Sequence, residues 1–125
     1  MSYTINFSHL CDYASLSMGE KLNVLGIFKN INSTDFPFIH PQMYVVTNIS
    51  FNEPGEYKEC IRIVFENSTI QEYTASFSTN QASTNFGIIG SFNNIEFKKE
   101  GEYAIEVLIN NDIVETIRFT VSKQV

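Results

Sequence analysis

The side chains of this sequence that could act as bases, nucleophiles or metal ligands are few and widely spaced. The histidines are His9 and His40, and the cysteines are Cys11 and Cys60. A zinc site needs several such residues at short spacing, and only His9 and Cys11 lie near each other. His9 is expected to be partly buried and hydrogen-bonded, whereas His40, which precedes Pro41, is expected in an extended loop before a strand. The sequence therefore predicts no metal site and no cofactor.

Recognisable catalytic motifs are also missing from the sequence. It contains no Gly-x-Ser-x-Gly elbow, no Ser-x-x-Lys pair and no phosphate-binding Gly-x-x-x-x-Gly-Lys loop. Asp12, Ser15 and a histidine could form a triad, but these residue types are common enough for the combination to arise by chance. Acidic residues near the predicted turns lack the Asp-x-Asp spacing of a calcium loop and are interpreted as solvated: Glu53, Glu56, Glu100 and Glu102. We expect no enzymatic activity, with a hydrolase that uses His40 as the enzymatic alternative.

Composition and charge narrow the class of protein. The 125 residues suit one domain, residues 1–125, and 43% hydrophobic against 18% charged residues exclude intrinsic disorder. The formal net charge of -6 disfavours partners such as nucleic acid or an anionic membrane. Because the sequence has no secretory signal and no apolar run of about 20 residues, we expect a cytoplasmic protein. Cys11 and Cys60 are then expected to remain thiols, although the sequence leaves a disulfide open.

The elements that must position these residues are β-strands. Apolar, β-branched and aromatic residues alternate with polar ones along several short stretches, as in half-buried strands. The predicted faces are Ile5, Phe7, His9, Cys11 and Tyr13; Met43, Val45, Thr47, Ile49 and Phe51; Ile61, Ile63 and Phe65; and Tyr73, Ala75 and Phe77. Between Phe86 and Phe97 the apolar positions change parity, which predicts a bulge or bend near Asn93 and Asn94. About eight such strands predict an all-β fold, a two-layer antiparallel immunoglobulin-like β-sandwich.

The stretch from Leu22 to Phe28 is apolar on both faces, which predicts a strand in a central position. Gly26 would let a bulky neighbour cross close to the backbone. A helix is the competing prediction, because Ser17 and Glu20 have the spacing of a capping box. Good strand formers predominate after them, so we predict a strand, with a turn at Met18 and Gly19.

The last two strands are predicted to form a hairpin. The facing pairs are Tyr103 with Phe119, Ile105 with Ile117, Val107 with Glu115 and Ile109 with Ile113, if residues 110–112 form a three-residue loop. Gly-Glu-Tyr precedes an alternating strand twice, at Tyr57 and at Tyr103. Tyr103 is the better candidate for the tyrosine corner found in sandwich domains.

The order of these motifs resembles a known protein family. Cys11-Asp12-Tyr13-Ala14-Ser15 is followed by Leu22-Asn23-Val24-Leu25-Gly26-Ile27-Phe28, by Phe36-Pro37 and by His40-Pro41. The series is similar to that of an uncharacterised prokaryotic family of small, single-domain, immunoglobulin-like β-sandwich proteins. The resemblance covers nearly the whole chain and implies a fold, but it implies no reaction.

We therefore expect a non-enzymatic interaction module that binds a protein partner, or a second copy of itself, through a sheet edge or an end loop. The residues singled out for a structural motif or an interaction are Asp12, Tyr13, Gly26, His40, Pro41 and Tyr103. Asp12 is expected to accept backbone N–H bonds across a bend. The alternatives are a small-ligand or carbohydrate-binding sandwich, suggested by the abundant Tyr and Phe, and a component of the conflict between phage and bacterial host.

Overall fold

The chain folds into β-strands. The computed structural model describes residues 3–19, 21–79 and 84–124, which contain nine strands and no helix. The strands are β1 (Tyr3–Ser17), β2 (Lys21–Ile27), β3 (Asn30–Ser33), β4 (Phe38–Phe51), β5 (Gly55–Phe65), β6 (Ser68–Thr79), β7 (Thr84–Phe97), β8 (Gly101–Ile109) and β9 (Asp112–Lys123). Over these ranges there is accordingly no helix that could cross a membrane. Met18 and Gly19 form the predicted turn, whereas Glu20, half of the competing capping box, lies outside the described residues.

The strands form two sheets. The first sheet has the order β2-β1-β4-β7, and the second has the order β3-β9-β8-β5-β6. Every neighbouring pair is antiparallel except β3 and β9, which run parallel with Ile31 opposite Val121. The predicted all-β fold of about eight strands is confirmed for the described residues, which form nine strands in two sheets. The expected wholly antiparallel pairing is wrong, because the short β3 runs parallel to β9.

The two sheets enclose a common hydrophobic core. The predicted inward face of β4, from Met43 to Phe51, is confirmed, since all five of its alternate side chains are fully buried. Alternation along β5 and β8 supplies the opposite wall. The core cluster holds Leu10, Met43, Val45, Phe92, Ile95 and Phe97 from the first sheet, and Ile31, Ile61, Ile63, Tyr103, Ile105, Val107, Ile117, Phe119 and Val121 from the second.

The predicted inward face of β1 is wrong. Leu10 faces the core, whereas Phe7 and Tyr13 are 37% and 47% exposed. The register of β1 against β4 shifts between Ile5 and Phe7. A shift of one residue moves every following side chain to the other face of a strand, so a face extrapolated through a bulge is incorrect beyond it.

The β8–β9 hairpin combines a short turn with a bulge. Asn110 and Asn111 have φ values of 49° and 74°, as a two-residue hairpin turn requires. The predicted three-residue loop is therefore wrong, as is the pairing of Ile109 with Ile113. A register shift between Val107 and Leu108 compensates for the shorter turn. The other three predicted pairs are confirmed: Tyr103 with Phe119, Ile105 with Ile117, and Val107 with Glu115.

The predicted irregularity in β7 is a local bend. Asn94 has a φ of 51°, and the residues on either side of the change in parity, Phe92 and Ile95, are both buried. The register against β4 is continuous, with Gln42 opposite Asn93 and His40 opposite Ile95. The change of face thus occurs at a left-handed asparagine without an inserted residue.

Candidate functional site

The outermost strand β2 has an open edge. The outermost strands of the two sheets are β2, β7, β3 and β6. β6 and β7 contact each other, and the Gln71 amide donates a 3.0 Å hydrogen bond to the Asn93 carbonyl. β3 spans only four residues. β2 spans seven residues and, among the described strands, pairs only with β1, so half of its backbone N–H and C=O groups face away from the sheet.

Apolar side chains are exposed beside this open edge. Tyr13, Leu25 and Ile27 lie along the β1–β2 hairpin, where Tyr13 is opposite Leu25 and Ile27 is opposite Cys11. They are 47%, 62% and 56% exposed. We call these three side chains the hairpin surface; Leu16 and Met18 are exposed towards the tip. The predicted central position of this strand is therefore wrong, and its second apolar face lies on the protein surface.

A small core lies on the outer side of the first sheet. Val46 lies between Val45 and Thr47, which face the interior, and so it points to the opposite side of the first sheet. The cluster on that side contains Cys11, Ala14, Val46, Leu22, Val24, Tyr44 and Ile89. Burial raises the pKa of the Cys11 thiol, whose sulfur lies 3.6 Å from the Tyr44 carbonyl oxygen. The cluster anchors the hairpin, and Cys11 is part of its packing.

Asp12 and Gly26 are in direct contact within the hairpin. Gly26 has a φ of 69°, and a Cβ at this position would lie 2.5 Å from Asp12 Oδ2. This position therefore requires glycine for its backbone conformation and for the space that the carboxylate occupies. Asp12 and Tyr13 lie inside β1, and not at the bend that the sequence suggested for Asp12.

His40 lies near the same region. The expected loop position of His40 and Pro41 is wrong, because both lie within β4. The imidazole ring lies between those of Phe28 and Phe97, each at 6.4 Å between centroids, and its Nε2 atom is buried without a hydrogen-bond partner among the described residues. Burial lowers the pKa of His40, and the Asp12 carboxylate acts in the opposite direction.

In the part of the chain that the structure describes, this histidine belongs to no cluster of metal-binding side chains. Among residues 3–19, 21–79 and 84–124, no three His, Cys, Asp or Glu side chains are placed to hold a metal ion. The two cysteines are free thiols, as expected. His9 is half-buried and stacks on Phe7 at 5.6 Å. Asp12 thus lies close to both Gly26 and His40.

Tyr103 makes the hydrogen bond of a tyrosine corner. Its hydroxyl donates to the Lys99 carbonyl, four residues upstream, at 2.6 Å. Tyr57, in the other Gly-Glu-Tyr motif, donates to the Glu53 carbonyl at 2.9 Å, also four residues upstream. Both rings are buried. The two motifs therefore fix the starts of β5 and β8 in the same way, although the sequence favoured only Tyr103.

Replacing Tyr103 by Phe is expected to lower the free energy of unfolding by about 1 kcal/mol, the usual net value of a buried hydrogen bond. Tyr57→Phe should cause a similar loss, because it removes the equivalent bond. Tyr13→Phe, at a half-exposed ring, is the control and should have no effect. Urea unfolding of the three variants measures this, and equal stability of Tyr103→Phe and the parent would contradict the role of the corner.

A buried carboxyl group lies between the sheets. Glu59 of β5 is 1% exposed, and Thr47 of β4 donates a 2.9 Å hydrogen bond to its Oε2 atom. Its Oε1 atom has no partner in the described part of the chain. Burial raises the pKa of Glu59 to about 7, against the lowering effect of the Thr47 bond. The sequence carried one signal: Glu59 has the same parity as Tyr57 and Ile61.

A cleft of about 550 Å³ lies at the end of the molecule near the β5–β6 turn. Phe65 forms part of its wall, but the Phe65 ring stacks on Tyr103 at 4.1 Å and Lys99 lies over it at 5.5 Å. Lys99 also pairs with Glu66 at 3.1 Å. These four side chains of the cleft, Phe65, Tyr103, Lys99 and Glu66, are therefore engaged with one another.

Most of the chain matches the model of a known family. Residues 6–122 match the model of a family that is described as a family of unknown function (DUF6941). The match extends from β1 into β9 and includes the whole hairpin. No curated protein matches the chain.

Proposed function

Because the chain belongs to the DUF6941 family, whose function is unknown, we propose a function from its geometry. The protein is a non-enzymatic interaction module that binds a protein partner along β2. The open edge of β2, flanked by Tyr13, Leu25 and Ile27, is the observation that supports this function. An extended segment can pair with unpaired N–H and C=O groups, and neighbouring apolar side chains add contact area. Contiguous exposed apolar residues beside a strand edge are typical of interaction sites.

The anchored backbone of the hairpin supports the same proposal. Leu22 and Val24 pack with Ala14 and Val46, so the strand that presents Leu25 and Ile27 is fixed before a partner arrives. A surface that is already ordered loses less conformational entropy on binding. The hairpin is thus suited to recognise a partner through a rigid edge.

We further propose that the two sheets form an immunoglobulin-like sandwich. Their shared core supports the two layers. The neighbouring strands β5, β8 and β9 correspond in order to the strands C, F and G of that fold, and β4 and β7 correspond to B and E. The tyrosine corner of Tyr103 then falls at the start of strand F, as in immunoglobulin domains.

A photo-reactive amino acid at Ile27 is expected to form covalent adducts with a protein partner, whereas the same group at Ile113 should not. Ile113 is the matched control for Ile27, since both are isoleucines, 53% and 56% exposed, in different parts of the surface. Cross-linking in the native host followed by mass measurement of the adducts tests this. Equal yields at the two positions, or none at Ile27, would contradict the proposed binding site.

A further inference from the structure

We infer that the partner at the hairpin surface is a second copy of this chain, with β2 of each copy paired antiparallel about a two-fold axis. This inference rests on the proposed function, because it uses the same edge. Such a dimer requires a strand with an open edge and uncharged apolar side chains beside it, and the chain itself supplies both.

Charge distribution favours self-association at this place. Residues 1–34 contain two acidic side chains, Asp12 and Glu20, and two basic ones, Lys21 and Lys29. The remainder of the chain therefore carries the whole formal charge of -6. Two copies that approached through that remainder would repel each other, and a basic foreign partner would be attracted to it. The neutral hairpin is where identical acidic molecules can meet with little repulsion.

The edge of β2 lacks the features that keep monomers apart. Monomeric proteins protect an exposed edge with lysine, proline or a very short strand. Between Leu22 and Ile27 there is no charged residue and no proline. Lys21, at the beginning of the strand, is the only basic residue in β2. The central part of the edge is therefore free to pair.

Two-fold symmetry satisfies both edges in one step. A two-fold axis beside β2 places each strand antiparallel to its own copy, so the two first sheets join into one continuous sheet. The hairpin surfaces of both copies then adjoin across the axis. A single foreign strand would fill the edge of one copy only and would leave a new open edge.

The mass in solution tests this inference. We expect sedimentation equilibrium of the parent protein to give twice the chain mass of 14.3 kDa. Ile27→Lys should raise the dissociation constant of the dimer about a hundredfold. Both copies carry the substitution, and each added charge weakens the contact about tenfold. Ile113→Lys, matched in exposure, should leave the dissociation constant unchanged. Urea unfolding of both variants, below the concentration at which the parent dimerises, verifies that each chain remains folded.

Cysteine cross-linking tests the geometry without introducing a charge. In a Cys60→Ser background, Lys21→Cys, Asn23→Cys and Leu25→Cys place single thiols along the edge. The thiol nearest to the axis should form a disulfide with its own copy, since this needs α-carbons within about 7 Å. Lys123→Cys, on an exposed position of β9, is the control and should form no disulfide between copies.

The outcomes separate the inference from the proposed function. A parent protein that stays at 14.3 kDa and forms no edge disulfide overturns the two-fold dimer. If Ile27 then cross-links to a different protein, the interaction module stands and only its self-association is wrong. A dimer that Ile113→Lys disrupts and Ile27→Lys does not would overturn both.

Discussion

Replacing Glu59 by Gln is expected to stabilise the protein by about 3 kcal/mol above about pH 8 and to change its stability little below about pH 4. Burial raises the pKa of Glu59 in the folded protein to about 7, from 4.5 for an ordinary glutamic acid. Between these values the folded chain keeps a proton that the unfolded chain has lost. The free energy of unfolding therefore falls as the pH rises from 4.5 to about 7 and stays low above it. Glutamine has the same shape and never ionises, so it removes this loss.

Urea unfolding of the parent and the variant over this pH range measures the effect. The control is Glu56→Gln, an exposed position on the same strand, which should leave the pH dependence unchanged. His40, whose pKa burial lowers, titrates in the parent and in the variant alike, so its contribution cancels in the difference. A difference in stability that is the same at every pH would show that Glu59 is not a buried titrating group.

Replacing Gly26 by Ala is expected to lower the free energy of unfolding by about 3 kcal/mol. The left-handed backbone, with a φ of 69°, accounts for part of this loss. The contact with the Asp12 carboxylate, 2.5 Å from the new Cβ, accounts for the rest. Gly19 provides the matched control, because its φ is 80° but a Cβ there would have no atom within 4 Å. Gly19→Ala should therefore cost only about 1 kcal/mol, the backbone part.

A double-mutant cycle assigns the remainder to Asp12. In an Asp12→Ala background, Gly26→Ala should cost about 1 kcal/mol less than in the parent, because the carboxylate is gone while the Cβ of residue 12 remains 3.1 Å from the new Cβ. Thermal or urea unfolding of the four proteins gives the coupling energy. Equal losses for Gly26→Ala with and without Asp12 would contradict the contact.

The sequence predicted the strands whose alternation is uninterrupted. Local spacing along the sequence was sufficient to predict the inward face of β4, three pairs of the β8–β9 hairpin and the corner at Tyr103. The face of β1 was wrong because a bulge between Ile5 and Phe7 is invisible in the pattern. Glu59 was missed because an acidic residue is usually assigned to the surface, whatever its parity.

The candidate site depended on information that is not local. The residues of β2 are apolar on both faces, and only the order of strands decides whether such a strand is central or at an edge. The contacts of Gly26 with Asp12, and the position of His40 near them, likewise depend on how β1, β2 and β4 are arranged. Asp12, Gly26 and His40 were therefore recognised as unusual residues, but their common location was not predictable.

The parallel pair of β3 and β9 determines when the chain can fold during its synthesis. β3 lies in the first third of the sequence, and its only strand neighbour, β9, ends at Lys123. Ile31 and Val121, which face each other in this pair, both belong to the main core. A ribosome releases β3 long before it releases β9, so the nascent chain must wait, with its core open, until β9 has been released as well. These strands therefore reach their native arrangement only after β9 has been synthesised, and removal of β9 would leave β3 unpaired and the core open.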